Sequence, residues 1–264
     1  MRRLGAGAAR AGLRARVLAA NGIRTRHFAL DANGVPTMLN EELAAEAVLL
    51  AVKDRGVPLT SVSMLAAGTT QGDLPVPGFA SMVHGRIGGG PMEVLSAGGV
   101  CASGVAALRA AAATVRLGEH EVAIAVGSEL VSRALRESRY AAADVPAGYD
   151  AEFLRWTLSD GAGAVVLEGA PRADGLSLRL DWTHLVSYAH EYPVCMRAGL
   201  AAGAAGPVPG QTWLDLPDAA AAERAGMFLL RQDVSVLPAL FRVGLTEFVA
   251  LVRAGRIVPD RVDH

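Results

Sequence analysis

The feature that most constrains the fold is a recurring order of short apolar strand, glycine-rich turn and helix between residues 62 and 167. The run at 62–67 opens into the loop GTTQGD, and the run at 92–95 opens into SAGGVCASG, which leads into an alanine-rich helix. Further apolar runs follow at 121–126 and 163–167. This order favours an α/β layered fold with a mainly parallel sheet and small residues where the layers approach closely.

Two helices flank this region. Residues 41–55 place apolar side chains at helical spacing, with Asn40 as the predicted N-cap and Gly56 as the stop. A second helix is predicted at 236–254.

The last segment of the chain repeats the pattern of an earlier one. A helix followed by RGVPLTSV at 55–62 matches a helix followed by GRIVPDRV at 255–262, and the sequence stops where the second copy's strand would begin. A repeat of this kind predicts two related halves. We therefore predict an N-terminal half with the candidate nucleophile (1–168), a variable loop and helical insertion (169–235) and the start of a C-terminal half that is cut short (236–264).

Cys101 lies where the second predicted strand gives way to the alanine-rich helix. Its sulfur should lie near unpaired backbone N–H groups and the positive end of the helix dipole, which both stabilise a thiolate. The thiolate is the nucleophilic form of cysteine, so a thiol at this junction can accept an acyl group. An isolated cysteine usually only packs in a core, but at this junction we favour a functional thiol.

Composition argues against several classes of protein. Lys and Arg number 25 against 26 Asp and Glu, so no basic field points to nucleic acid or an anionic membrane. No uninterrupted apolar run reaches the ~18 residues that span a bilayer, and we predict a cytoplasmic protein without a membrane span. Met1 to Arg26 has the arginine-rich composition of a transit peptide, but its last residues fit the fold better.

The remaining polar candidates have structural interpretations. The six histidines show no metal-ligand spacing beside carboxylates or thiols, so we expect neither a metal nor a cofactor. Asp73 and Asp160 are predicted to bond nearby N–H groups in turns. Glu129 could orient an acyl site, although we favour a buried hydrogen bond. Two cysteines are too few for a disulfide scaffold, and Cys195 is expected to pack.

Four motifs occur in the order found in one enzyme family. GGVCASGVAAL around Cys101 resembles the nucleophile elbow of the thiolase superfamily, and DGAGAVVLEG at 160–169 resembles the glycine-rich turn and strand of type III ketoacyl synthases. AIAVGSE at 123–129 and NGIRTRHFALD at 21–31 are similar to the family's intervening strand and entry segment. The resemblance covers most of 20–170 and, weakly, 236–264.

The resemblance implies a thiolase-like layered α-β-α-β-α fold with two pseudo-repeated halves, the second incomplete. It implies a β-ketoacyl-[acyl-carrier-protein] synthase III-like acyltransferase of fatty-acid or polyketide-type biosynthesis, with Cys101 as nucleophile and backbone oxyanion donor. The expected partners are acyl-CoA or acyl-acyl carrier protein, malonyl-acyl carrier protein, and a second thiolase-fold chain in a homodimer or heterodimer.

The family's catalytic His and Asn are not matched. Val262-Asp263 matches the pair that begins the strand before the family's histidine, so His264 falls a few residues short of that position and is not the catalytic residue. Where many type III enzymes hold the CoA adenine with Trp and Arg, this chain has Arg16 and Ala20. Acyl carrier protein could therefore deliver both substrates, with CoA as the alternative acyl donor, and we expect condensation by this chain to be impaired.

Two other functions fit the motifs less well. A non-catalytic thiolase-fold partner would bind acyl carrier protein or a catalytic homologue, but such partners usually lack the cysteine. A cysteine hydrolase would need His and Asn or Asp in a recognisable setting, which the sequence does not show. We rank the condensing enzyme first.

Overall fold

The structure is a computed structural model that describes residues 11–144, 148–201, 204 and 206–262. The helices are α1 (Ala11–Ala20), α2 (Asn40–Arg55), α3 (Phe79–Ile87), α4 (Ser103–Leu117), α5 (Glu137–Ala141), α6 (Tyr149–Thr157), α7 (Ala219–Arg224) and α8 (Leu237–Arg253). The strands are β1 (Met64–Thr69), β2 (Glu93–Gly98), β3 (Val122–Glu129), β4 (Gly161–Glu168), β5 (Met196–Arg197) and β6 (Arg231–Gln232). The predicted order of strand, turn and helix is confirmed, with β2 running three residues past its predicted end at 95.

The chain divides into two compact units, and the first, Met1–Glu137 with Trp156–Val186, contains a four-stranded sheet. The strand order is β2-β1-β3-β4. Strand β1 is parallel to β2 and β3, whereas β4 is antiparallel to β3. The predicted α/β fold with a mainly parallel sheet is therefore confirmed.

Strand β1 lies at the centre of the core of this unit, and all six of its residues are buried. Successive side chains of a strand point to opposite faces of the sheet. Leu65 therefore packs with α2 and α3, whereas Met64 packs with Ala107 and Ala111 of α4. Burial of a side chain such as Leu65 contributes about 1.5–3 kcal/mol to stability. The result is a three-layered unit of helices, sheet and helix.

Helix α2 begins with Asn40, which is not its N-cap. The N-cap is Leu39, whose backbone N–H donates to the Glu42 carboxylate at 2.9 Å. The predicted Asn40 cap was wrong because the Asn40 side chain is buried against the sheet and donates to Thr69. The predicted end at Gly56 is confirmed: this residue has φ 75°, a left-handed conformation that favours glycine.

The local structure after α8 matches the local structure after α2. A glycine with positive φ follows each helix, Gly56 at 75° and Gly255 at 68°. Short 3-10 helices then occupy Leu59–Ser61 and Pro259–Arg261, which are equivalent positions of the two sequence segments. This correspondence supports the relation between the segments. The predicted boundaries after residues 168 and 235 stay predictions.

The second unit comprises Ser138–Arg155 and Ser187–His264. It contains α7, the antiparallel pair β5–β6, and α8, which confirms the helix predicted at 236–254. No residue of α8 is buried. The segment Val234–Arg253 is long and apolar enough to cross a membrane, with mean hydropathy 1.6, although Arg242 and Glu247 interrupt its apolar run. A single helix of this kind is a weak sign, and the expected absence of a membrane span stays a prediction.

Candidate functional site

Cys101 lies in the turn between β2 and α4, and its side chain is exposed. The turn closes where the Ser103 N–H donates to the Val100 carbonyl at 3.1 Å, and α4 begins at Ser103. The first turn of α4 contains no acidic residue that would offset the positive end of the helix dipole. The thiol is thus accessible, and Cys101 lies between a strand and a helix as the sequence predicted. That the helix end stabilises a thiolate stays a prediction.

Glycines allow the first turn of α4 to pack directly against the sheet. A Cβ atom on Gly68 of β1 would lie 2.8 Å from the Gly104 nitrogen and closer still to the Ser103 carbonyl group. A Cβ atom on Gly127 of β3 would lie 3.4 Å from the Gly104 Cα atom. No side chain fits between Gly68 and the helix, so β1 fixes the position of the helix end that follows Cys101.

The carboxyl-terminal ends of the parallel strands β1, β2 and β3 lie at one edge of the sheet, so the segments that follow them meet there. Thr69 of β1 is in register with Gly98 of β2, and Gly68 is in register with Gly127 of β3. The residues that follow these positions therefore lie at the edge where the segment of Cys101 leaves β2. This edge of an open α/β sheet is where ligands usually bind.

Glu129 at the end of β3 accepts hydrogen bonds from Thr70, the residue that follows β1. Its Oε1 atom accepts hydrogen bonds from the Thr70 N–H at 2.7 Å and from the Thr70 hydroxyl at 2.6 Å. Burial raises the pKa of the Glu129 carboxyl, and the two bonds from Thr70 act in the opposite direction. The favoured interpretation of Glu129 as a hydrogen-bonding residue is supported, and the bond cross-links the two strands next to this edge.

A buried polar network lies beneath the same edge. The Asn40 amide donates to the Thr69 hydroxyl at 2.9 Å and to the Gln71 carbonyl at 3.3 Å. In return, the Ser128 hydroxyl donates to Asn40 Oδ1 at 2.7 Å. The network ties α2 to the ends of β1 and β3. Sequence reasoning missed it because Asn40 before an apolar helix has the same pattern as a capping residue.

The predicted turn aspartates bond backbone N–H groups of distant segments. Asp73 accepts from the Glu41 N–H at 3.1 Å and pairs with Arg133. Asp160 accepts from the N–H groups of Ala29 and Ser132, both at 2.8 Å. They bond N–H groups as expected, but their partners lie far along the chain, so they stabilise tertiary structure.

The other candidate residues lie in structural settings. His120 contacts Ser63 at 3.0 Å and Glu93 at 3.0 Å, and Cys195 is half-buried. Within the described ranges, no group of three or more His, Cys, Asp or Glu side chains could hold a metal ion. His264 lies outside the described residues, as does Asp263 of the matched pair.

An open depression of about 410 Å³ lies between α2 and β4. None of its lining residues belongs to the Cys101 segment.

Comparison with known sequences connects the chain to acyl-condensing proteins. The family model described as thiolase, N-terminal domain, matches residues 17–157, more than half of the 264 residues. The β-ketoacyl-[acyl-carrier-protein] synthase III of Cereibacter sphaeroides is 34% identical over 153 residues, which cover 58% of this chain and 42% of that protein. The synthase of the same name from Xanthomonas oryzae is 28% identical over 182 residues, covering 63% and 49%. The chain therefore spans less than half the length of these relatives.

Among solved structures, the chain is similar to AbyA1, a tetronic acid condensing enzyme. The two are 27% identical with a TM-score of 0.64, and the match covers 96% of this chain and 68% of that one. The similarity in fold thus extends well beyond the segment around Cys101.

Proposed function

Since this chain belongs to the thiolase N-terminal domain family, we propose that it is an acyl-transferring condensing enzyme in which Cys101 accepts the acyl group. The observation that carries the proposal is the position of Cys101, exposed and directly before the first turn of α4. An acyl acceptor needs access for a thioester and an environment that favours the thiolate. Exposure supplies the first, and we assign the second to the N-terminus of α4, whose first backbone N–H groups have no partner within the helix.

In the proposed first step, the Cys101 thiolate attacks the carbonyl carbon of an acyl thioester. A new C–S bond forms while the bond to the carrier thiol breaks, and the released carrier thiolate takes up a proton. We assign the backbone N–H of Cys101 as one donor to the developing negative charge on the carbonyl oxygen. The expected carriers are CoA or acyl carrier protein.

In the proposed second step, malonyl-acyl carrier protein loses carbon dioxide. The resulting carbanion attacks the acyl carbonyl, a C–C bond forms, and the Cys101 thiolate leaves. The names of the relatives support this chemistry, because two are β-ketoacyl-[acyl-carrier-protein] synthases III and one is a tetronic acid condensing enzyme. The groups that assist decarboxylation are not assigned to residues of this chain.

We further propose that the protein assembles as a homodimer or as a heterodimer with another thiolase-fold chain. Within the part of the chain that the structure describes, β2 has a neighbouring strand on one side only. An unpaired strand edge is available for hydrogen bonding to a second chain. Light scattering during gel filtration would give the mass, and a monomer that stays monomeric with its homologues would contradict this assembly. The cytoplasmic location stays a prediction.

The proposed function is tested by acyl-transfer assays with Cys101→Ala and Cys195→Ala variants. With an acyl thioester of CoA or of acyl carrier protein, we expect release of the carrier thiol and an acylated protein from the wild type and the Cys195 variant, and neither from the Cys101 variant. Little 3-oxoacyl product is expected when malonyl-acyl carrier protein is added, because condensation by this chain is expected to be impaired. Acylation of Cys101→Ala would contradict the assignment. Binding of acyl carrier protein without any thioester on Cys101 would instead favour a non-catalytic thiolase-fold partner.

A further inference from the structure

Helix α8 presents an apolar face to solvent. Four large apolar side chains form this face, and we call them the α8 face: Leu240 (49% exposed), Phe241 (79%), Leu245 (65%) and Phe248 (46%). Positions 241, 245 and 248 recur at intervals of four and three residues, so they lie on one side of the helix. An apolar helix side of this kind is normally buried against another element of structure.

The related segment around α2 shows which kind of element covers such a face. Residue 55 matches residue 255 in the repeat, a displacement of 200 positions. The same displacement relates the 3-10 helices at Leu59–Ser61 and Pro259–Arg261, while the glycine after α8 comes one residue earlier. At this displacement the α8 face corresponds to four buried residues of α2: Asn40, Glu41, Ala45 and Val48. The side that α8 exposes is therefore the side that α2 buries.

Helix α2 buries this side against one face of a β-sheet. Ala45 and Val48 share an apolar cluster with alternate residues of three strands: Leu65 and Ala67 of β1, Ile124 and Val126 of β3, and Ala164 and Val166 of β4. Helix α3 packs in the same cluster, and α4 packs on the opposite face of the sheet. Both faces of this sheet are thus covered, and the described part of a second copy offers α8 no sheet face of this kind.

One difference between the two helices indicates the chemistry of the missing sheet. Asn40 of α2 donates to Thr69 and accepts from Ser128, which are polar residues of β1 and β3. The matching residue of α8 is Leu240, whose side chain has no group that can form a hydrogen bond. Polar side chains opposite Leu240 would be buried without partners, so the sheet that covers α8 should be apolar at these two positions.

We propose that the α8 face docks on an apolar β-sheet face that another thiolase-fold polypeptide supplies. The relatives contain chain beyond their match to this one, which covers 42% of the Cereibacter sphaeroides synthase III and 68% of AbyA1. The inference rests on the assembly with a thiolase-fold chain that is part of the proposed function, and it assigns a surface to that assembly. Acylation of Cys101 does not depend on it.

Co-expression tests the docking, with a polypeptide of AbyA1 as the probe. The probe is the part of AbyA1 that follows its segment matched to this chain, and it is produced together with the full chain. We expect a soluble one-to-one complex, measured by light scattering during gel filtration. A probe that stays insoluble, or soluble but unbound, beside the wild-type chain would overturn the proposal.

Leu245→Asp should lower the amount of complex about tenfold or more, because it places an unpaired charge in an apolar contact. The matched control is Leu50→Asp. Leu50 is 66% exposed, as Leu245 is 65% exposed, but Leu50 corresponds to position 250, which is not part of the α8 face. Since both leucines are exposed, both variants should keep the urea midpoint of the wild type. A complex that Leu245→Asp leaves intact, or that Leu50→Asp weakens equally, would overturn the docking surface.

Two other occupants of the α8 face give different results. Self-association of the wild type without the probe, reversed by Leu245→Asp, would indicate a second copy. Binding to vesicles of equal parts phosphatidylglycerol and phosphatidylcholine, abolished by Leu245→Asp, would indicate a lipid surface. Either result would overturn the proposal.

Thioester labelling of Cys101 in the co-expressed samples separates this inference from the proposed acyl transfer. Labelling without a complex would overturn the docking alone, and a complex without labelling would overturn the acyl transfer alone.

Discussion

Two buried polar clusters of this protein differ in how completely their hydrogen bonds are satisfied. In the first unit, Asn40 donates to Thr69 and Gln71 and accepts from Ser128, so both ends of its amide group are used. In the second unit, Arg155 and Arg231 each leave two buried donor atoms without an acceptor among the described residues.

This difference shows two consequences of burying polar groups, one when they are hydrogen-bonded and one when they are not. A satisfied network holds one arrangement of the backbone, and in the first unit it holds the ends of the strands beside which Cys101 lies. Buried donors without an acceptor cost free energy and do not hold one arrangement of the backbone. The following substitutions disrupt the hydrogen-bond network of Asn40 or the packing around it, and they are given from the largest expected loss of stability to the smallest.

Gly68→Ala should disrupt the contact between β1 and α4 and give the largest loss of stability. The new Cβ atom would lie 2.8 Å from the Gly104 nitrogen, and backbone atoms cannot rotate away from it as a side chain can. We expect a loss of about 3 kcal/mol or more in the free energy of unfolding, because overpacking against backbone moves α4 away from β1. Urea denaturation measures the loss, and alkylation of Cys101 should slow in parallel.

Gly98→Ala is the matched control for this substitution. Gly98 lies in register with Thr69, next to Gly68, but a Cβ atom on Gly98 meets nothing within 4 Å. We expect a change within about 0.5 kcal/mol. Equal losses in both variants would show that the close approach at Gly68 does not hold the helix.

Asn40→Ala would leave polar groups of the first cluster without hydrogen-bond partners, as some groups of the second cluster are. The Ser128 hydroxyl would lose its acceptor on the side chain, and the Thr69 hydroxyl would lose its donor. We expect a loss of about 2–3 kcal/mol, measured by urea denaturation. Asn21→Ala serves as the control, since Asn21 is exposed and its side chain accepts from the nearby Ile23 N–H, and it should cost about 0.5 kcal/mol or less.

Glu129→Gln should give the smallest effect and one that depends on pH. Burial raises the pKa of Glu129 in the folded state, so the folded protein holds this proton more tightly than the unfolded chain. Wild-type stability therefore falls as pH rises from the ordinary glutamate pKa to the raised one, and it levels off above that. Glutamine keeps the acceptor for Thr70 without the charge.

The Glu129→Gln variant should accordingly gain stability over the wild type as pH rises through this window, by under about 1 kcal/mol because the group is partly exposed. Urea midpoints of both proteins between about pH 4 and about pH 8 measure the difference. A constant difference across this range would show that Glu129 does not titrate as described.

Much of the first unit could be predicted from the sequence, because its signals are local. The apolar run at 62–67 predicts the buried β1, and Gly56 marks the end of α2 through its backbone conformation. The position of Cys101 between a strand and a helix follows from the same local patterns. The role of Cys101 as nucleophile stays a proposal.

The parts that could not be predicted depend on residues far apart in the chain. Asn40 has the sequence setting of a helix cap, but its partners Thr69 and Ser128 decide its role. Arg155 and Arg231 lie in different segments, and no local pattern indicates that both are buried. Tertiary contacts, which single-sequence patterns do not encode, set these roles.

The central claim is that Cys101 is the thiol that takes the acyl group. The most direct measurement is peptide mass spectrometry of the whole chain after incubation with an acyl thioester of CoA or of acyl carrier protein. Cys195, which is half-buried, provides the internal reference in the same sample. We predict an acyl adduct that is sensitive to hydroxylamine on the Cys101 peptide and none on the Cys195 peptide. Unmodified Cys101, or equal labelling of both cysteines, would contradict the account.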